Sequence, residues 1–132
     1  MVLFDANMIL CYLLNDNAEM AEKADQLLQS SDVAVTTEVI AEVVYVLRGV
    51  YAAEREKIAA VVKKFLELVQ CRDKAVLNVA LDTYGERGLD FVDCVLFAWH
   101  KVRGAEIATF DKKLIRLMSA LALDYGKSHP KA

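Results

Sequence analysis

The chain opens on an unbroken apolar run, Val2, Leu3 and Phe4, closed by Asp5. A run without alternation is the pattern of a strand covered on both faces, so residues 2–5 predict a buried parallel strand. Val33–Thr36 repeats the pattern and Ile107–Phe110 repeats it again. Leu68–Cys71 fits either a short strand or the end of a helix, and Leu121–Asp124 fits a last edge strand.

Between these runs, apolar positions recur at helical spacing. Asn15, Asp16 and Asn17 offer an N-cap for a helix over roughly 18–30, with Met20, Ala24, Leu27 and Leu28 on one face. Thr36 or Thr37 caps a helix reaching about Arg48, where Gly49 stops it. Ile58, Val61, Val62, Phe65, Leu66 and Val69 carry a stripe from about residue 54 onward, and Leu77, Ala80, Leu81 and Tyr84 carry another. Residues 90–103 predict a mostly buried helix, and Lys112–Met118 one that begins just after Asp111. An Arg-Gly pair recurs at 48–49, 87–88 and 103–104: a cation in the last turn, then a residue that tolerates a left-handed backbone. Strands alternating with helices imply an α/β sandwich with a mainly parallel sheet.

Composition narrows the picture. At 132 residues and 56% hydrophobic content, one domain over residues 1–126 buries its own core, with a polar tail at 127–132 around Pro130. A mean hydropathy of +0.27 leaves apolar surface to spare, which points to a homodimer or a bound partner. The apolar N-terminal stretch lacks a basic flank and is interrupted by Asp5, so it does not read as a signal peptide. No apolar run reaches membrane-spanning length. Cys11, Cys71 and Cys94 are odd in number and lie among hydrophobic neighbours, as buried thiols of a cytoplasmic protein do. With only His100 and His129 to help, they do not make a zinc site. The net charge of −3 and pI near 5.4 argue against a surface coated with nucleic acid, although clustered acids would lower the pI and still leave Lys and Arg free at their rim.

Four carboxylates carry the candidate chemistry. An ionised acid within an apolar segment is costly unless it is paired or bound to a metal. Asp5 and Asp111 stand at the carboxyl ends of predicted strands, where open α/β sheets bind ligands, although each could instead cap the helix that follows. Glu42 sits among Val39, Ile40, Val43, Val44, Val46 and Leu47, with only Glu38 on its face. Asp93 is enclosed by Phe91, Val92, Val95, Leu96, Phe97 and Trp99, and Asp90 one turn earlier can do the capping. Glu38 is the weaker of its pair, and His100, near a helix end, reads as structural. If the fold gathers the four, the natural occupant is a hard divalent cation.

At these residues the chain resembles the PIN-domain ribonucleases, most closely the VapC toxins of VapBC toxin–antitoxin pairs. The matching segments are Asp5-Ala-Asn7, Glu42 before Val-Val-Tyr-Val-Leu, Asp90-Phe-Val-Asp93 and Ala108-Thr109-Phe110-Asp111, in the family's order over nearly the whole chain. The resemblance implies a three-layer α/β/α sandwich with a central, mainly parallel sheet. It also implies that Asp5, Glu42, Asp93 and Asp111 hold Mg²⁺ or Mn²⁺, with Asn7 and Thr109 orienting ligands or water. The activity implied is hydrolysis of RNA phosphodiester bonds that leaves 5′-phosphate and 3′-hydroxyl ends, and the partners implied are a cognate antitoxin and a second copy of the chain. Arg48, Lys112, Lys113 and Arg116 are candidates for phosphate contacts, although solvated helix faces explain them as well. Cys94 replaces the small residue usual in such chains, which touches packing and not the acids.

Two rivals follow from the same residues. A haloacid-dehalogenase-like phosphotransferase also carries an Asp after its first strand, but it needs a second Asp where this chain has Asn7. A non-catalytic module would use the acids to bind a structural cation or a basic partner.

Overall fold

The computed structural model describes residues 1–128, with side chains as far as Leu121. In chain order the elements are β1 (Val2–Leu3), α1 (Ala6–Leu14), α2 (Ala18–Ser30), β2 (Val33–Ala34), α3 (Thr37–Gly49), α4 (Arg55–Leu66), α5 (Lys74–Glu86), α6 (Phe91–Arg103) and α7 (Lys112–Ser128). The chain is mainly helical around a small parallel sheet. β1 pairs with β2 in the register Val2 with Val33 and Leu3 with Ala34, and a parallel bridge joins Ala34 to Gln70. The ambiguous segment Leu68–Cys71 therefore contributes one strand-like bridge, through Val35 N–H to the Gln70 carbonyl and Gln70 N–H to the Val33 carbonyl.

The predicted broad central sheet is not formed among the described residues. Ile107–Phe110 is irregular, without a backbone hydrogen bond to the sheet. Ile107 and Thr109 are half-buried while Ala108 and Phe110 are exposed, the pattern of an extended segment covered on one face only. Leu121–Asp124 lies within α7 instead of forming an edge strand. Leu114, Leu117 and Leu121 follow one another at spacings of three and four, so the helical period simply continues. The proposed tail begins inside α7, at residues 127–128, and residues 129–132, with His129 and Pro130, lie outside the described residues.

Caps set the helix starts much as their residue types dictate. Asp5, Asn17 and Thr36 accept hydrogen bonds from the N–H groups of Met8, Met20 and Val39, respectively. Of the three Arg-Gly endings, only Gly104 takes up the left-handed backbone, at φ 67°. Gly49 stays helical, and the left-handed residue after α3 is Ala52, at φ 52°. Arg48 explains the shift: its guanidinium donates to the Ala53 carbonyl at 3.0 Å and folds the α3–α4 connection over the helix end.

α1 packs on α2 and α3, α3 on α4 and α6, and α5 lies between α4 and α6, with α7 against α6. The core that results is continuous. Ile9, Ile40, Val43, Val44, Ile58, Val62, Phe65, Leu66, Leu77, Leu81, Phe91 and Leu114 are fully buried. Tyr12 meets Phe65 at 5.8 Å between ring centroids, and Tyr84 meets Phe91 edge-on at 5.9 Å. The predicted stripes of α4 and α5 form this core, except that Val61 turns outward. On α2 the buried residues are Ala21 and Ala24, while Met20 is exposed.

Candidate active site

Phe4 is buried and carries the chain from β1 directly into Asp5, so the fold presents this acid at the carboxyl end of the sheet. Asp5 caps a helix and also borders a cavity. Its Oδ1 accepts the Met8 N–H at 2.9 Å as the cap of α1, which leaves Oδ2 for other work. The carboxylate also lines a cavity of about 370 Å³ with Asn7, Asp16 and Glu42, walled by Leu10, Val46 and Tyr51. The structure thus brings Asp5, Asn7 and Glu42 together from α1 and α3. Glu42 is exposed, however, and so are Glu38, Tyr45 and Gly49 on the same side of α3. The helix has a solvated stripe after all, and burial is not what makes Glu42 unusual.

The second group forms where the starts of α6 and α7 meet. Asp93, in the first turn of α6, is half-buried. Its carboxyl is raised above the usual range, first because burial penalises the charged form and then because Asp111 and Asp90 stand close. Asp111 is exposed and caps α7 through Oδ1 to the Leu114 N–H at 2.9 Å. Thr109 accepts the Asp111 N–H at 3.0 Å, so its hydroxyl fixes the backbone that presents the acid. The sequence offers Asp90 as a cap. It occupies the cap position of α6, but its side chain makes no capping bond, which leaves a third carboxylate at this corner.

Asp5 with Glu42 and Asp93 with Asp111 therefore form two separate pairings. Among the described residues, no three His, Cys, Asp or Glu side chains stand close enough to hold one metal ion, so the single four-acid pocket is not formed. The donor set nevertheless fits a hard cation, since all the ligands are carboxylate oxygens and Asp93 is crowded by like charge. Mg²⁺ keeps several of its waters and commonly binds through one or two carboxylates, which either pairing can supply, plus phosphates of the substrate.

Arg55 is a residue that sequence patterning passed over. Its Nε donates to the Tyr84 carbonyl at 2.9 Å, its Nη2 donates to the Leu89 carbonyl, and the guanidinium lies 3.7 Å from the Tyr84 ring centroid. It ties the end of α5 to the turn that delivers Asp90 and Asp93. The buried Cys94 thiol also points at the Leu89 carbonyl, at 3.8 Å, and burial pushes its pKa up to about 12. Cys11 and Cys71 are free thiols and only half-buried, less enclosed than their neighbours predicted. His100 has its Nδ1 2.9 Å from the Ala105 carbonyl at the end of α6, a contact of the kind a structural histidine makes.

Asp5 thus stands beyond the end of a small parallel sheet, and Asp93 and Asp111 at helix starts, in a mainly helical α/β protein. The chain belongs to the PIN domain family, whose sequence model matches residues 2–118. Neither curated proteins nor solved structures gave a match.

Proposed function

We propose that the chain is a Mg²⁺- or Mn²⁺-dependent endoribonuclease and the toxin of a type II toxin–antitoxin pair. Membership of the PIN family supports the nuclease class, since PIN domains are typically hydrolases of this kind. The observation that carries the reading is the corner of Asp93, Asp90 and Asp111, where burial first, and then the two neighbouring acids, raise the Asp93 carboxyl. Such a corner gains from a divalent ion, because the cation removes the repulsion that the fold imposes. When bound, the ion lowers the pKa of a coordinated water and offsets charge at the phosphorus.

In this mechanism Asp93 and Asp111 would hold a cation between them, and the separate pairing of Asp5 and Glu42 would offer a second place for one. Thr109 keeps Asp111 in place, and Asn7, beside Asp5, orients substrate or water. The toxin role accounts for the exposed apolar residues Met1, Leu3, Tyr51 and Phe110, which a second copy and an antitoxin would cover in the cytoplasm. No helix among the described residues is long and apolar enough to cross a membrane.

The test is purified protein on structured RNA, with Mn²⁺ or Mg²⁺ and with EDTA, beside Asp5→Asn and Asp93→Asn. Metal-dependent cleavage lost in both variants is the expected result. Cleavage that survives EDTA, or that both variants retain, overturns the reading.

A further inference from the structure

Three cations from two separate parts of the chain line one cleft. Arg87, in the turn between α5 and α6, faces Lys113 and Arg116 of α7 across a space of about 330 Å³ floored by Gly88, Leu89 and Leu117. A smaller cavity of about 160 Å³ shares Arg87 and Leu117 and adds Lys101, with Glu86 as the single acid in its wall. In a chain of net charge −3, this convergence comes from placement and not from composition.

The cations are exposed, and none of the three is in a salt bridge among the described residues, where the pair found is Lys63 with Asp82. Arg116 spends only its Nε, on the Lys112 carbonyl of its own helix at 3.3 Å. A solvated face of α7 would explain Lys113 and Arg116, which are three residues apart. It does not explain Arg87, which comes from a different element. The cleft also adjoins the acids, since Leu89 precedes Asp90 and Lys113 follows Asp111 by two residues. Of the other cations read from sequence, Arg48 is engaged with Ala53 and Lys112 does not line the cleft.

We infer that this cleft, with Arg87, Lys113 and Arg116 in its walls, is a phosphate track that holds the RNA backbone beside the acidic corner. The inference rests on the nuclease reading for its choice of ligand. Cations on both walls suit a chain of evenly spaced phosphates, and side chains that contact only phosphate position a strand without reading its sequence.

The test is binding of a short fluorescein-labelled single-stranded RNA in EDTA, followed by anisotropy across a salt series. Each phosphate neutralised on a single strand contributes about 0.7 to the slope of log affinity against log salt. Arg87→Gln/Lys113→Gln/Arg116→Gln should weaken binding at least about tenfold at low salt and reduce the slope by about 2. Arg87→Gln alone, on a turn, should reduce it by about 0.7. Lys23→Gln/Lys57→Gln/Lys64→Gln changes net charge equally on other exposed positions and should leave the slope nearly unchanged. Thermal melts establish that each variant is folded before it is compared. An unaltered slope in the track variants, an equal loss in the control, or equal affinity for an acidic peptide of matched charge overturns the track. Cleavage with Mn²⁺ separates the two readings. Wild type that binds through these residues but never cleaves RNA removes the nuclease and keeps the track, while cleavage with an unaltered slope does the reverse.

Discussion

Replacing Arg55 with Met keeps the aliphatic stem and removes the head group that joins α5 to the start of α6. Two hydrogen bonds from a cation to partly buried carbonyls are lost, and bonds to a charged group are worth roughly 1.5–3 kcal/mol each. The lower end applies here, because Arg55 itself is only half-buried. Loss of the cation from the Tyr84 face adds about 0.5–1 kcal/mol. The expected destabilisation is thus about 3–4 kcal/mol by urea unfolding, with a fall in Tm of about 10–15 °C at this chain length. Arg55→Lys keeps the charge but cannot reach both carbonyls with one planar fork, so it should recover less than half of the loss. Because Leu89 precedes Asp90, the Met variant should also cleave RNA more slowly, on the order of tenfold, at temperatures where it is fully folded. A Met variant within about 1 kcal/mol of the parent would show that the turn is held by packing alone.

Asp5→Ala and Asp111→Ala should each cost about 1 kcal/mol in chemical unfolding, whereas the Asn variants keep the cap and should abolish cleavage at nearly parental stability. The Asp93 carboxyl is raised in the folded chain, so the folded state takes up this proton more readily than the unfolded one. Stability from this group therefore grows as pH falls from neutrality through the raised value and levels off below the ordinary carboxylate range. Metal-free unfolding of the parent and Asp93→Asn should differ in that slope, and carboxyl NMR should show the Asp93 pKa lowered by Asp111→Asn. Cys94, buried and held protonated, should resist alkylation in the native state on a timescale where Cys11 and Cys71 react, as mass spectrometry of labelled peptides would show.

The helices were legible because stripes such as Ile58, Val62, Phe65 and Leu66 obey a single period, and because Asn17 and Thr36 announce their starts. The strands were less so. Ile107–Phe110 has the residue types of a strand, but pairing depends on whether a neighbouring backbone offers an edge, and no local pattern encodes that. Glu42 was singled out for apolar neighbours in sequence, yet those neighbours turn inward while Glu38, Glu42 and Tyr45 share the outer stripe. Asp93 differs, since it is half-buried and its carboxyl is raised. Arg55 lay hidden between Glu54 and Glu56 in a segment that reads as solvated surface, and its partners are 29 and 34 residues away. Arg87 was legible only as a helix-ending cation, since its neighbours across the cleft come from α7.

Asp5 and Asp111 each devote one oxygen to starting a helix and leave the other free of that bond. An amide in either place would still start the helix, so under the proposed nuclease reading a single nucleotide change would remove cleavage and leave a protein that folds and keeps its surface. Descent of that kind would produce inert copies that compete with active ones. Relatives with Asn at these two positions should therefore be sought among inhibitors as well as among relics.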